Sequence, residues 1–317
     1  MKKKFIIVII LAVILIVFFL IIKSNEQPVE IIPRHSKIPE DAVKITPQSD
    51  YYPPIRYTNE YTDPVPVKGD VNTAGAEDSA FILPNGNELY VWFTPDPLVP
   101  VIEQLVDKVT GIYYYTKSGD EWIGGDKVVL NKKNEDTLDG CLFVGNGQAW
   151  FCSARKGNLP PEGLNFWTAD ISGNKVSHIK NAGKKLNVDY KIGELHITSD
   201  DKEMYYHKAD GDIYMLENIN GEWQNERKVE NINSDDFEGY PFVNEDIDEM
   251  WITRTYLGTP ALLRSKRIDG QWQKPELMFS QFAGEATLDD QGNVYFTHHF
   301  FEYGEMIEAD IYVAYKK

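Results

Sequence analysis

At 317 residues, with 42% apolar and 13% aromatic content, the chain can bury a large core, which excludes a disordered protein and fits one domain of about 250 residues behind an N-terminal extension. Its formal charge of −17 argues against a nucleic-acid partner, because phosphate backbones are bound chiefly through Lys and Arg. Cations and cationic partners fit that balance.

Lys2, Lys3 and Lys4 precede an unbroken apolar run from Phe5 to Ile22, long enough at about 1.5 Å per residue to come close to spanning a ~30 Å hydrocarbon layer. Residues 1–23 are expected as a single transmembrane helix, a signal anchor. The lysines keep its N-terminus in the cytoplasm and put the rest of the chain on the extracytoplasmic side. A cleaved signal peptide is the competing reading, although Ile22 is followed by Lys23-Ser24-Asn25-Glu26 and no small-x-small site. Residues 24–68 are polar and carry Pro28, Pro33, Pro39, Pro47, Pro53, Pro54, Pro64 and Pro66. That composition reads as an extended tether holding the domain off the bilayer.

Residues 69–317 repeat one pattern of short β-type runs joined by turn residues. The first unit starts at Glu77-Asp78-Ser79-Ala80-Phe81, turns at Asn85-Gly86, runs through LYVWFT and GIYYYTK and ends near residues 127–130. Residues 95–110 interrupt it, and their IEQLVDKV allows a turn or two of helix. The second runs from Asp139-Gly140-Cys141-Leu142-Phe143 through Asn146-Gly147 to AWFCSAR and NFWTADI. The third is clearest, with ELHIT, EMYYHK, DIYMLEN and ERKVEN separated by Asp200-Asp201, Asp210-Gly211 and Asn220-Gly221. The fourth begins at Glu238 and passes through EMWITRT and ALLRSKR. The fifth begins at Gly284-Glu285 and ends in NVYFTHHF and ADIYVAYKK, one strand short. One four-stranded unit cannot bury both faces alone, so five in succession predict an all-β fold, a five-bladed β-propeller. A strand from residues 41–68 would complete the fifth unit and close the ring.

The Asp/Asn-Gly turns, the Tyr/Trp strands, the DIY strands and the N-G-x-W turn resemble the WD40-like repeats of TolB-type β-propellers. The match is best in SDDKEMYYHKADGDIYMLENINGEW and in DDQGNVYFTHHFFEYGEMIEADIYVAYKK. The resemblance implies a fold over about residues 70–317 and leaves the activity open.

If Asn146-Gly147 is a two-residue turn, counting back places Cys141 opposite Cys152, and an exported domain permits a disulfide there. Two buried thiols are the alternative. Trp122, Trp223 and Trp272 occupy repeated outer-strand turns and are read as packing residues.

Each unit carries an acid at the start of its first strand: Glu77 or Asp78, Asp139, Glu194, Glu238 and Glu285. In a propeller these starts gather at one mouth of the central channel, beside Arg155, Lys208, Arg254 and His298 from the ends of second strands. Tyr256, Phe300, Phe301 and Tyr303 would form an aromatic rim. Two readings stand: a ring that binds a ligand or a cation such as Ca²⁺, with a surplus of charge near Glu77 and Asp78, or local salt bridges repeated because the unit is repeated. His196, His207 and His298-His299 lack a metal-ligand spacing, and no other cofactor is implied.

The chain lacks G-x-S-x-G, HExxH and nucleotide-binding glycine patterns. One enzymatic alternative comes from resemblance to five-bladed glycoside hydrolases of family 43, which implies Asp78 as general base, Asp139 as pKa modulator and Glu194 as general acid. Neither aspartate is followed by the proline common in that family. The leading expectation is a membrane-anchored, extracytoplasmic binding module for a protein partner or a small ligand, a carbohydrate included.

Overall fold

Two-residue turns whose residues tolerate positive φ set most of the hairpins. Asn146-Gly147 has φ 50° and 73°, Asn220-Gly221 55° and 85°, and Tyr303-Gly304 50° and 88°, a backbone twist that matches paired strands. In a computed structural model, residues 31–131, 135–160 and 163–317 are described. The apolar run Phe5–Ile22, expected as the membrane anchor, lies outside them. Among the described residues no helix is long and apolar enough to cross a membrane.

An N-terminal arm carries three two-residue strands, β1 (Ile55–Arg56), β2 (Val65–Pro66) and β3 (Lys68–Gly69). The first repeat follows with β4 (Ala76–Ile82), β5 (Glu88–Thr94), a short helix α1 (Val101–Val106) in the 95–110 insertion, β6 (Gly111–Ser118) and β7 (Glu121–Lys127). Its outer strand ends at Lys127, within the 127–130 range expected from the sequence. The second comprises β8 (Leu138–Gly145), β9 (Gln148–Ala154), β10 (Asn165–Ser172) and β11 (Lys175–Asn181). The third has β12 (Leu195–Ile197), β13 (Glu203–His207), β14 (Ile213–Ile219) and β15 (Glu222–Lys228). The fourth is built from β16 (Glu238–Val243), β17 (Glu249–Tyr256), β18 (Thr259–Ile268), a short β19 (Gln271–Trp272) and β20 (Glu276–Ser280), and the fifth from β21 (Ala283–Leu288), β22 (Val294–Glu302) and β23 (Glu305–Ala314).

Within each repeat, neighbouring strands pair antiparallel in chain order. The first strands β4, β8, β12, β16 and β21 lie each against the next, and β21 returns to β4. A closed ring of meanders around an axis is a β-propeller. The apolar residues sit between adjacent sheets. One cluster joins the first three repeats through Phe81, Phe143, Phe151 and Met204; others join the third to the fourth, the fourth to the fifth and the fifth to the first. Each sheet therefore buries both faces only because it has two neighbours.

Residues 31–68, read from composition as an extended tether, lie against the ring. Tyr61 is fully buried between Trp251 and Phe279. Strand β1 pairs with the outer edge β20 of the fourth repeat, and β2 pairs antiparallel with β23 of the fifth through Val65–Val313 and Pro66–Tyr312. Strand β3 runs parallel to β7. Prolines do not prevent this, because an edge strand needs donors on one side only.

Candidate functional site

Strand register determines which acid reaches the channel. Five residues mark equivalent places, each paired with an aromatic of the second strand: Phe81 with Tyr90, Phe143 with Trp150, His196 with Tyr205, Phe242 with Trp251 and Thr287 with Tyr295. In four of the five repeats a β-bulge precedes this place, and the bulged residue has positive φ: Ser79 (48°), Cys141 (52°), Tyr240 (53°) and Glu285 (60°). A bulge adds one residue and redirects a side chain. Together with Glu194 of the third repeat, these residues line a small cavity of about 50 Å³ on the axis.

The expected ring of five acids is therefore divided. Glu77, Asp139 and Glu238 stand further back and are held locally. Glu77 accepts from Arg34 Nη1 (3.0 Å), Thr73 Oγ1 (2.6 Å) and Thr73 N (2.9 Å). Asp139 accepts from Arg155 Nη2 (2.5 Å), Ser153 Oγ (2.6 Å) and Thr137 Oγ1 (2.8 Å). Glu238 accepts from Arg254 Nε (2.6 Å), Ser234 Oγ (2.5 Å) and Ser234 N (3.0 Å). This is the repeated local salt bridge, a hydroxyl residue shortly before the acid and an arginine from the second strand. The first repeat ends its second strand in Thr94, and Arg34 of the arm supplies the missing guanidinium, wedged against Phe93, Tyr113 and Tyr115. The surplus charge expected at Glu77 is thereby countered, although burial still pushes its carboxyl above the usual range against the pull of Arg34.

Asp78, Glu194 and Glu285 remain near the axis. The residue three before the marked place is glycine in the other repeats (Gly140, Gly193, Gly239, Gly284), where an added Cβ at Gly193 would fall 2.3 Å from the His207 carbonyl. Asp78 alone has a side chain there, and its Oδ1 lies 3.5 Å from Nε2 of His299. Burial raises the Asp78 carboxyl, but His299 and the Ser79 and Thr297 donors outweigh it and hold it below its ordinary value. Burial lowers the His299 imidazole, and Asp78 with Glu285 more than restore it, so it is raised. Donor atoms of Asp78, Glu285 and His299 all lie within 4.8 Å of one another. Ser79 Oγ donates to Glu285 (2.5 Å), and the Glu285 N–H donates to Thr253 Oγ1 (2.8 Å).

Glu194 differs from the others. Among the described residues its carboxyl accepts no hydrogen bond, and burial, with the nearby Asp78 charge, pushes it up to about 8. Glu285 rises well above the usual range from burial, Asp78 and Glu194. Tyr240 is raised too, first by Glu285 and then by Glu194. Among the described residues, Asp78, Glu285 and His299 are close enough to share one ion, while Glu194, Ser79 and Tyr240 add oxygens along the cavity wall beside Glu285, where a hard cation or an ammonium group can be met.

The expected bases disperse. Arg155 and Arg254 serve Asp139 and Glu238, while Lys208 turns outward to Glu226 (2.6 Å). His298 faces away from the axis and contacts Asp50 of the arm at 3.0 Å. His299, its neighbour on the opposite strand face, is the base beside Asp78 and Glu285, where His298 is expected from the sequence. The aromatic rim does not assemble as expected: Phe300 is buried against His298, Phe301 stacks on Phe282 and Tyr303 is fully exposed.

Asp139 lines a separate cavity with Thr110, Lys127 and Leu130, away from Glu194. That separation does not favour the arrangement of Asp78, Asp139 and Glu194 around one substrate that the glycoside hydrolase resemblance implies. The sulfurs of Cys141 and Cys152 are bonded, with Cα atoms 5.3 Å apart. The direct pairing expected from the turn is displaced, because the bulge sets Gly140, not Cys141, opposite Cys152.

No protein-family model and no curated protein matches the chain. Among solved structures, it is similar to a TolB-type protein of Agrobacterium tumefaciens at 11% identity, covering 77% of this chain and 92% of that one with a TM-score of 0.41. A family 43 glycoside hydrolase of Bacteroides ovatus shares 14% identity over 78% of this chain and 53% of its own, with a TM-score of 0.46. A gluconolactonase of Xanthomonas campestris shares 12% over 84% and 95%, with a TM-score of 0.40. The propeller architecture rests on the ring of strands described above, not on these likenesses.

Proposed function

We propose that the chain is a five-bladed β-propeller, anchored by residues 1–23 with the ring on the extracytoplasmic side, that binds a cationic group of a protein partner or small ligand at its channel mouth. One observation carries the site: Glu194 is a carboxyl in the axial cavity with no hydrogen-bond partner among the described residues, raised to about 8. Glu194 is half-buried, and an acid so placed without a protein partner is poorly compensated; a bound cation offsets that cost. The volume of about 50 Å³ suits one ion or an ammonium tip, since a water takes about 30 Å³. Ca²⁺ is the metal to try first, because the donors at the mouth are mostly oxygen.

Support for the location comes from Lys2–Lys4 before the apolar run and from the Cys141–Cys152 bond, a pairing characteristic of oxidising compartments. Separate calorimetric titrations of CaCl₂ and butylammonium chloride into the full chain in lipid nanodiscs test the site. A saturable heat with at least one of them, lost in Glu194→Gln and in Glu285→Gln, is the expected result. Heats that match in wild type and both variants would sink the proposal.

A further inference from the structure

Another concavity lies between the second and third repeats, away from the axial acids. It measures about 640 Å³, within the range of roughly 300–1,000 Å³ typical of small-ligand sites. Its walls include Trp150 and Gln148 of β9, Thr168 of β10, Lys180 of β11, and Asn218 and Trp223 of β14 and β15. Trp223 shares its turn motif with Trp122 and Trp272, and all three are expected as packing residues; Trp223 packs in part against the core cluster of the first three repeats. Trp122 and Trp272 are buried against Tyr295 and Tyr205, whereas Trp223 is half-buried and borders this space.

Polar groups along the walls lack protein partners. Thr168 is 3% exposed, yet its hydroxyl makes no hydrogen bond. Leaving such a group unsatisfied is unfavourable, and a ligand hydroxyl at the cavity wall would relieve it. Among the described residues, the Gln148 amide, the Lys180 ammonium and the two indole N–H groups have no hydrogen-bond partner either, while Asn218 uses only its oxygen, accepting from Gly221 N at 2.9 Å. Asp201, the one acid on the wall among the described residues, accepts from Asn146 Nδ2 at 2.7 Å.

This combination discriminates among ligand classes. A phosphorylated or otherwise anionic ligand would want several cations, and among the described residues Lys180 is the only one on the walls. A wholly apolar ligand would leave Thr168, Gln148 and Asn218 dry and unpaired. A neutral molecule with hydroxyls on its edges and a C–H face satisfies both the amides and the indole surfaces. We propose that this groove is a binding site for a neutral saccharide of one or two pyranose rings. It stands apart from the axial acids, so either site can fail without the other.

The test is a tryptophan-fluorescence titration of the full chain in lipid nanodiscs, free of sugar detergents, with cellobiose, maltose and chitobiose. At least one should give a saturable change. Trp223→Ala should weaken it about tenfold or more, and the near-isosteric Thr168→Val, which keeps the core volume, several-fold, while Glu285→Gln leaves it unchanged. Saccharide-detected NMR saturation transfer gives a readout that does not depend on Trp223. Failure of all three sugars to saturate, affinity equal to wild type in both groove variants, or equal weakening in Glu285→Gln would overturn the assignment.

Discussion

Glu194 sets the most direct expectation at the scale of single residues. Its folded-state value of about 8 lies above that of an unfolded-chain glutamate, ~4.3. Between those values the folded chain holds a proton that the unfolded chain has released, so the stability this group contributes is full below ~4.3 and is lost as pH rises to about 8. The largest slope from one group is ~1.4 kcal/mol per pH unit. Glu285, raised for the same reasons, acts in the same direction. His196 and His207, lowered by burial to about 3 and about 4, act the opposite way, but only as pH falls below ~6.5. Urea midpoints at pH 6.5 and 8.5 keep His196 and His207 silent. Asp310, raised to about 8, and the raised His299 lose stability over that interval, while Lys127, lowered to about 8, gains it. The comparison with the variant is therefore the readout: Glu194→Gln should lose measurably less stability than wild type. Equal losses would remove Glu194 as the cause.

The same residues mark what the sequence could convey. An acid at each strand start is visible because the repeats can be laid over one another. Which acids reach the axis is not visible, since the bulge shifts the inward position by one residue and three acids fall behind it. Arg34 was out of reach for a different reason. It lies 43 residues before Glu77, in a segment with no repeat pattern, and only the folded ring brings the two together. His299 could have been chosen over His298 by alternation along β22, had the inward register been known.

At the scale of elements, the bulge and the disulfide of β8 and β9 belong together. The turn at Asn146-Gly147 was legible from the dipeptide alone, and the cysteines flank it at equal distances. The bulge at Cys141-Leu142 then breaks the count, so that Cys141 reaches its partner from a left-handed conformation (φ 52°) rather than across a direct pair. A cross-link between residues 11 apart removes about 2–3 kcal/mol of chain entropy from the unfolded state. Replacing both cysteines with alanine should lower stability by roughly that amount, and dithiothreitol should shift the urea midpoint of wild type but not of the double variant. A wild-type midpoint insensitive to reductant would show that the bond contributes little.

Closure is a property of the whole molecule, and the arm carries much of it. The fifth repeat supplies three strands of its own, and β2 is laid along β23 as the fourth. Around that pairing the arm makes contacts no short tail could make. The Val67 N–H donates to the Ile311 carbonyl (3.0 Å), Glu60 grips the buried Arg264 through two 2.8 Å bonds, and Lys44 lies between Glu308 and Asp310. Removing residues 31–68 would bare the edge of β23, leave Arg264 without its Glu60 partner and open the space filled by Tyr61. Loss of a large buried aromatic costs roughly 3–5 kcal/mol; the Glu60–Arg264 pair adds less, because Glu60 is half exposed and Arg264 keeps Glu249 and Glu276. The truncated chain should therefore unfold at a clearly lower temperature, with rapid proteolysis of the fifth repeat, and Tyr61→Ala in the full chain should reproduce part of the loss. If the arm were only a spacer to the bilayer, both variants would melt with wild type and resist protease equally.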